Sequence, residues 1–151
     1  MGKLKVNQYV VGPVQTNCYF AINDETKEAL IIDPGASGKA LLERLKQEGY
    51  VPCAILLTHG HFDHAGGVKE IKEAYSVPVY VHEAEKETLE SAELNASWMI
   101  GKRETYEADI WLKDEEEIDL AGFHIRVLHT PGHTEGGCCY YFPYEDTLFS
   151  G

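Results

Sequence analysis

The sequence predicts an α/β layered domain, and three observations carry the prediction. Strand-like runs occupy both ends of the chain, and a strand–helix–strand–helix alternation fills its middle. The length of 151 residues corresponds to about one domain. Hydrophobic residues make up 44% of the chain, which separates it from disordered sequences and supplies apolar surface for a core without staples.

Each element has its own signal. Leu4 to Val11 is rich in Val and Tyr and reads as a strand, and Asn17 to Ile22 is a second short apolar run. Asn23-Asp24-Glu25-Thr26 is a turn signal, and Glu28 to Ile32 follows as a third strand, closing a hairpin. Asp33-Pro34-Gly35 stops the sheet. Ser37 stands where the N-cap of a helix belongs; Leu41, Leu42 and Leu45 follow at near-helical spacing, and Gly49 ends the run. Cys53 to Leu57 is a continuous apolar run, as expected of a strand buried on both faces. Val68, Ile71, Lys72 and Tyr75 form a stripe that predicts a helix from about Ala65 to Tyr75. Val77 to Val81 reads as the next strand, with Pro78 marking an edge or a strand start. His82 to Met99, with many Glu, predicts a helix, and Gly101 to Lys113 predicts an exposed loop. Asp114-Glu115-Glu116-Glu117 reads as a solvated turn. Ile118–Leu120 and Phe123–Leu128 form a hairpin across Ala121-Gly122, and Cys138–Phe142 and Thr147–Phe149 form another.

Thirteen basic against 25 acidic residues leave a formal charge of −12. Phosphates are repelled by such a surface, which argues against nucleic acid and against anionic membranes as partners. No run of ~18 apolar residues is present to span a bilayer. Met1 to Val6 has two lysines but no apolar stretch behind them, so no signal peptide is predicted. Gly2 invites a myristoylation reading, but Val6 stands where that pattern needs Ser or Thr. The cysteines, Cys18, Cys53, Cys138 and Cys139, form no C-x-x-C pair and are expected as reduced thiols in a cytoplasmic protein. The sequon Asn95-Ala96-Ser97 is then without consequence. The sequence does not indicate an oligomeric state.

The chemistry concentrates in two segments. Thr58-His59-Gly60-His61-Phe62-Asp63-His64 follows the buried strand and so lies at a strand's C-terminal end, where α/β proteins place their sites. Neutral imidazoles and a carboxylate are the ligand set for Zn²⁺ or a similar first-row ion. In an extended loop His59 and His61 point the same way and share one ion, while Asp63 and His64 are offset towards a second. His133 lies in Thr130-Pro131-Gly132-His133-Thr134-Glu135-Gly136-Gly137, again directly after a strand. Three histidines plus a water make an open, catalytic arrangement. His82, His124 and His129 each stand alone and read as structural residues.

T-H-x-H-x-D-H followed by A-G-G, together with T-P-G-H-T-x-G, resembles the metallo-β-lactamase superfamily of metallohydrolases. The Asp33-Pro34-Gly35 turn and the Thr16-Asn17-Cys18-Tyr19 strand are similar to the same superfamily. The resemblance is to its branch of small cytosolic proteins related to glyoxalase II, the hydroxyacylglutathione hydrolases. It implies a four-layer αββα sandwich of two mixed β-sheets flanked by helices. It also implies a first metal site of His59, His61 and His133 and a second containing Asp63 and His64, with Asp33 orienting a ligand through a hydrogen bond. Zn²⁺ is the implied cofactor, one or two ions per complete site, with iron or manganese as alternatives. The implied partner is a small-molecule substrate, the implied reaction thioester or ester hydrolysis by metal-bound hydroxide, with Asp63 catalytic. The substrate-binding residues are not identified.

Two departures qualify the resemblance. Glyoxalase II commonly has His where this chain has Gly137. The family also runs from the last strand into Gly-Asp, and on to a further His, whereas this sequence reads Leu148-Phe149-Ser150-Gly151. The expectation is therefore a single metallo-β-lactamase-like domain over residues 1–151 that lacks its C-terminal part, has an incomplete second metal site, and shows little activity alone. Two other readings stand beside the hydrolase: an iron-dependent persulfide dioxygenase, and a non-catalytic metal-binding or interaction module completed by another chain.

Overall fold

The structure is a computed structural model. It describes residues 3–12, 15–101 and 103–150, except for the side chain of Ile100. Met1 and Gly2, which bear on the myristoylation reading, and the terminal Gly151 lie outside the described residues.

Two sheets pack face to face. The first has six strands: β1 (Leu4–Val11), β2 (Thr16–Asn23), β3 (Glu28–Ile32), β4 (Val51–Leu56), β5 (Val79–His82) and β6 (Ile110–Leu112), side by side in chain order. β1, β2 and β3 pair antiparallel, and β3 to β6 pair parallel, so this sheet is mixed. The second has β7 (Glu117–Leu120), β8 (Phe123–His129), β9 (Cys138–Phe142) and β10 (Thr147–Phe149), antiparallel throughout. The helices are α1 (Gly38–Glu48), α2 (Phe62–Ala65), α3 (Val68–Tyr75) and α4 (Lys86–Glu90).

Alternation along the strands explains the layers. Phe20, Ile22, Ala29, Ile31 and Ile55 point to one side of the six-stranded sheet, where they meet Leu41 and Leu45 of α1 and Ile71 of α3. Ala21, Leu30, Ile32, Ala54 and Leu56 point to the other side, against Phe123, Ile125, Val127, Tyr140 and Phe142 of the second sheet. Both faces of β3 and β4 are thus buried, which is why their sequences are continuously apolar. Among the described residues the helices flank only the six-stranded sheet.

Most strand boundaries agree with the sequence reading; the helices differ more. Ser37 sits at the N-cap of α1 but at φ 58° and without a side-chain capping bond. Gly66-Gly67 divides the helix expected from Ala65 to Tyr75 into α2 and α3, and α2 begins three residues early, at Phe62. The helix expected from His82 to Met99 is a 3-10 turn (Glu83–Glu85), the short α4, turns, and a second 3-10 turn (Ser97–Ile100). The predicted loop of residues 101–113 contains β6, a three-residue strand set by its parallel neighbour β5. All four cysteines are free, and Cys138 is buried while Cys139 is half-exposed, as adjacent strand residues require.

Candidate metal centre

Three adjacent parallel strands deliver their following residues to one rim. Asp33 follows β3, Thr58 and His59 lie just beyond β4, and Glu85 closes the turn after β5. The loop between β8 and β9, bearing His133, reaches the same rim from the second sheet. The strand that follows it, β9, is fastened to this rim: Cys138 N donates to Thr58 O at 2.8 Å, and the Tyr140 hydroxyl donates to Leu57 O at 2.6 Å.

His59, His61 and His133 converge, each offering a ring nitrogen within 4.8 Å of the others. Their ring centroids lie 5.0, 4.9 and 4.6 Å apart, with planes inclined at 84°, 88° and 78°. Near-perpendicular rings aimed at one point suit lone pairs directed to a common ion. His59 is buried, His61 half-buried and His133 exposed, so the cluster opens to solvent on the His133 side.

The tautomer of His59 follows from its neighbours. The Thr58 hydroxyl donates its single proton to Asp33 Oδ2 at 2.5 Å. Its oxygen therefore accepts from His59 Nδ1, 3.3 Å away, which assigns the ring proton to Nδ1. Nε2 is left with a lone pair, and it is a buried atom without a hydrogen-bond partner. A buried, unpartnered acceptor turned into a ring of imidazoles is what a metal ion satisfies, so the donor set fits one. Burial, and then the neighbouring rings of His64, His61 and His133, push the His59 pKa down to about 3, keeping it neutral as a ligand must be. Burial and His133 also lower that of His61.

Asp63 and His64 form a second group together with His59. Because His59 is shared, only Asp63 and His64 bring new ligand atoms to a second ion. Both lie on α2, not on an extended loop as their spacing suggested. Asp33 Oδ2 accepts from His64 Nδ1 at 2.8 Å. Asp33 Oδ1 also accepts from Thr58 N at 2.8 Å. Asp33 is 2% exposed and held at φ 53°, a left-handed conformation that Asp tolerates better than most residues and that these bonds fix. Burial alone would lower the His64 pKa, but its bonds and charge contacts with Asp33 and Asp63 prevail and raise it to about 9. Asp63 is shifted the other way: burial opposes its charge, yet His64 and the Thr16 hydroxyl, 2.9 Å from Oδ2, hold it well below the usual carboxylate range.

The Asp33-Pro34-Gly35 turn does more than end β3. Gly35 lies so close to α2 that a Cβ there would overlap the Asp63 carbonyl, and Gly67 N donates to Pro34 O at 2.6 Å. The turn thereby seats the helix carrying Asp63 and His64.

Several residues at this rim carried no readable signal. Glu85 is fully buried and bonds both histidine loops. Asn95, read only as part of a sequon, is fully buried; its carbonyl accepts from Phe62 N at 2.8 Å and its amide donates to Leu89 O and Glu104 O. His82 and His129, read as solitary, stack at 3.9 Å and 11°, and His129 Nε2 bonds Glu135 O across the second loop. At the far end of β8 from this rim, His124 is solitary only among histidines, for Asp119 and Glu117 flank it at 2.8 and 2.7 Å.

A mixed sheet packs on a second sheet, and histidines able to hold a metal ion gather where the two meet. Residues 11–151 match the family model described as "Metallo-beta-lactamase superfamily", and the chain belongs to that superfamily. It is 41% identical over 150 residues to "Probable metallo-hydrolase YqgX" of Bacillus subtilis (strain 168), covering 98% of this chain and 70% of that protein. It is 36% identical over 125 residues to "Hydroxyacylglutathione hydrolase GloC" of Haemophilus influenzae, covering 81% of this chain and 58% of that one. Among solved structures, the BLEG-1 B3 metallo-beta-lactamase superposes with a TM-score of 0.91 at 44% identity, over 97% of this chain and 71% of its own. TTHA1623 in a di-iron-bound form superposes with a TM-score of 0.80 at 36% identity, over 96% and 71%. Among the described residues no helix is long and apolar enough to cross a membrane.

Proposed function

We propose that this chain carries the first metal site of a hydrolase of thioesters, such as hydroxyacylglutathione, or of related esters. The observation that carries the reading is the unpartnered, buried Nε2 of His59 within the His59, His61 and His133 cluster. A Zn²⁺ ion held there supplies Lewis acidity and lowers the pKa of a coordinated water from ~15.7 towards ~7. The residues do the rest. Thr58 and Asp33 hold His59 in the ligating tautomer, and His61 and His133 fix the two other directions. Asp63, ionised and held by Thr16 and His64, accepts a hydrogen bond from an attacking water and orients it. Asp63 and His64 would supply two ligands towards a second ion once His64 has released the proton it shares with Asp33 and Asp63. The thioester class is supported by the similarity to GloC. A small molecule is the expected partner.

Metal analysis of protein grown with zinc and iron together, followed by a panel of thioesters, esters, lactones and a β-lactam, tests the reading. At least one ion per chain, lost in His59→Ala, and little turnover by these 151 residues alone are expected, with turnover of a thioester by a longer chain that carries them. A longer chain that binds zinc but turns over no thioester, ester or lactone overturns it. The di-iron-bound form of TTHA1623 favours a second reading, an iron-dependent persulfide dioxygenase. Selective iron uptake with oxygen consumption on glutathione persulfide would establish that one instead.

A further inference from the structure

We infer that Glu85 is the positioning residue of the three-histidine cluster, a buried carboxylate that ties the two histidine-bearing loops to each other. The inference rests on reading that cluster as a metal site.

The geometry is specific. Glu85 is fully buried in the turn that follows β5. Its Oε2 accepts from Gly60 N at 2.5 Å, and Gly60 is the residue between His59 and His61. The same Oε2 accepts from the Thr134 hydroxyl at 2.8 Å, and Thr134 follows His133. Its Oε1 accepts from Gly136 N at 2.9 Å, farther along the same loop. One carboxylate therefore takes three hydrogen bonds, from loops that come from different sheets. Cys138 N and Thr58 O join the bases of the two segments, and beyond that bond Glu85 bridges the loops themselves while presenting nothing to solvent.

The surroundings fit a carboxylate and little else. All three partners are donors, and a carboxylate is acceptor-only when ionised. An amide would turn a donor towards one of the backbone N–H groups. Gly136 approaches so closely that a Cβ there would overlap the Glu85 backbone nitrogen, and a Cβ on Gly60 would press on Leu89 of α4. Both glycines let their loops come within reach of one side chain. Among the described residues the carboxylate hydrogen-bonds none of the three rings; it sets the separation and aim of the backbone that carries them. Partners that orient ligands from behind in this way typically change metal affinity ~10–100-fold when removed.

The experiment compares wild type, Glu85→Gln and Thr134→Val, with Val127→Ala as a core variant destabilised away from the rim. Zn²⁺ affinity by chelator competition, the visible spectrum of the Co²⁺-substituted protein and the thermal midpoint are read for each. Amide hydrogen exchange at Gly60 and Gly136 is read without metal. Glu85→Gln should bind Zn²⁺ ~10–100-fold more weakly and show an altered Co²⁺ spectrum. Thr134→Val, which removes one bond of the three, should lose less than Glu85→Gln. Val127→Ala should melt earlier yet keep the wild-type affinity and spectrum. In the metal-free protein the Gly60 and Gly136 amides should be protected in wild type and exchange faster in Glu85→Gln. Unchanged affinity, spectrum and protection in both rim variants overturn the assignment. If wild type itself binds neither ion, the metal reading fails, and amide protection alone then decides whether Glu85 joins the loops. Should Glu85→Gln not fold, Thr134→Val decides: a weakened, spectrally altered site supports the assignment and a wild-type site refutes it.

Discussion

Asp33 and His64 are joined by a 2.8 Å bond between Oδ2 and Nδ1, and the same carboxylate also receives both donors of Thr58. One residue after β3 thus orders the ends of both motif halves: His59 through Thr58, and His64 directly. Asp33→Asn keeps the size and tolerates φ 53° but turns one acceptor into a donor. At least one buried partner is then stranded, which costs on the order of 1–3 kcal/mol. The metal-free variant should melt several degrees lower, and the His64 pKa, read by NMR, should fall below about 9, because one of the two carboxylates that raise it is gone while Asp63 remains. A variant with an unmoved His64 titration would contradict this account.

The raised His64 pKa has a definite consequence for stability. The metal-free native state keeps its proton to about pH 9, while the unfolded chain releases it near 6.5. The unfolded state therefore binds fewer protons between those values, and stability falls as pH rises. The contribution is full below 6.5 and is lost as pH passes 9, amounting to on the order of 1–3 kcal/mol. Denaturant unfolding of metal-free protein across pH 6 to 10 should show this loss in wild type and a smaller one in His64→Gln. Parallel profiles for the two proteins would refute it.

The sheets are pinned together beside the centre by Tyr140. Its fully buried hydroxyl donates to Leu57 O at 2.6 Å, one residue before Thr58. Tyr140→Phe keeps the ring in the inter-sheet core and leaves that carbonyl short of a donor. A loss of about 1–2 kcal/mol is expected, with a small weakening of metal binding because Thr58 and Cys138 share the junction. Equilibrium unfolding and chelator competition measure the two effects separately.

How far the sequence foretold this centre depends on how local each signal is. The strands were legible because burial on alternate or both faces writes itself into every residue, as at Leu30, Ile31 and Ile32. The residues of the candidate centre were legible because His59, His61, Asp63 and His64 lie within one segment and His133 follows a strand. Glu85 was not, since it is one of many glutamates in a stretch read only as a helix, and only tertiary structure shows which one is buried. β6 escaped for a related reason: Ile110–Leu112 is too short to carry a period, and its conformation comes from pairing with β5. The split at Gly66-Gly67 was visible as glycine, but the need for it comes from Pro34 and Gly35, thirty residues away in sequence and in contact in space.

Metal should stabilise the chain through the three-histidine cluster and not through its acidic surface. An ion that binds only the folded state adds RT ln(1 + [L]/Kd), about 2.7 kcal/mol at a hundredfold excess over Kd. For a chain of this length that raises the melting temperature by roughly 5–10 °C. His59 lies buried at the base of the cluster, whereas His133 is exposed, so His133→Ala should leave the metal-free melting temperature nearly unchanged. The same substitution should abolish most of the zinc-induced shift, because two imidazoles remain where three converged. Calorimetric scans of both proteins, with EDTA and with zinc, separate these effects. Calcium, which prefers oxygen ligands, should produce little shift in either. A full zinc-induced shift in His133→Ala would place the ion elsewhere, on Asp63 and His64 or on the acidic surface.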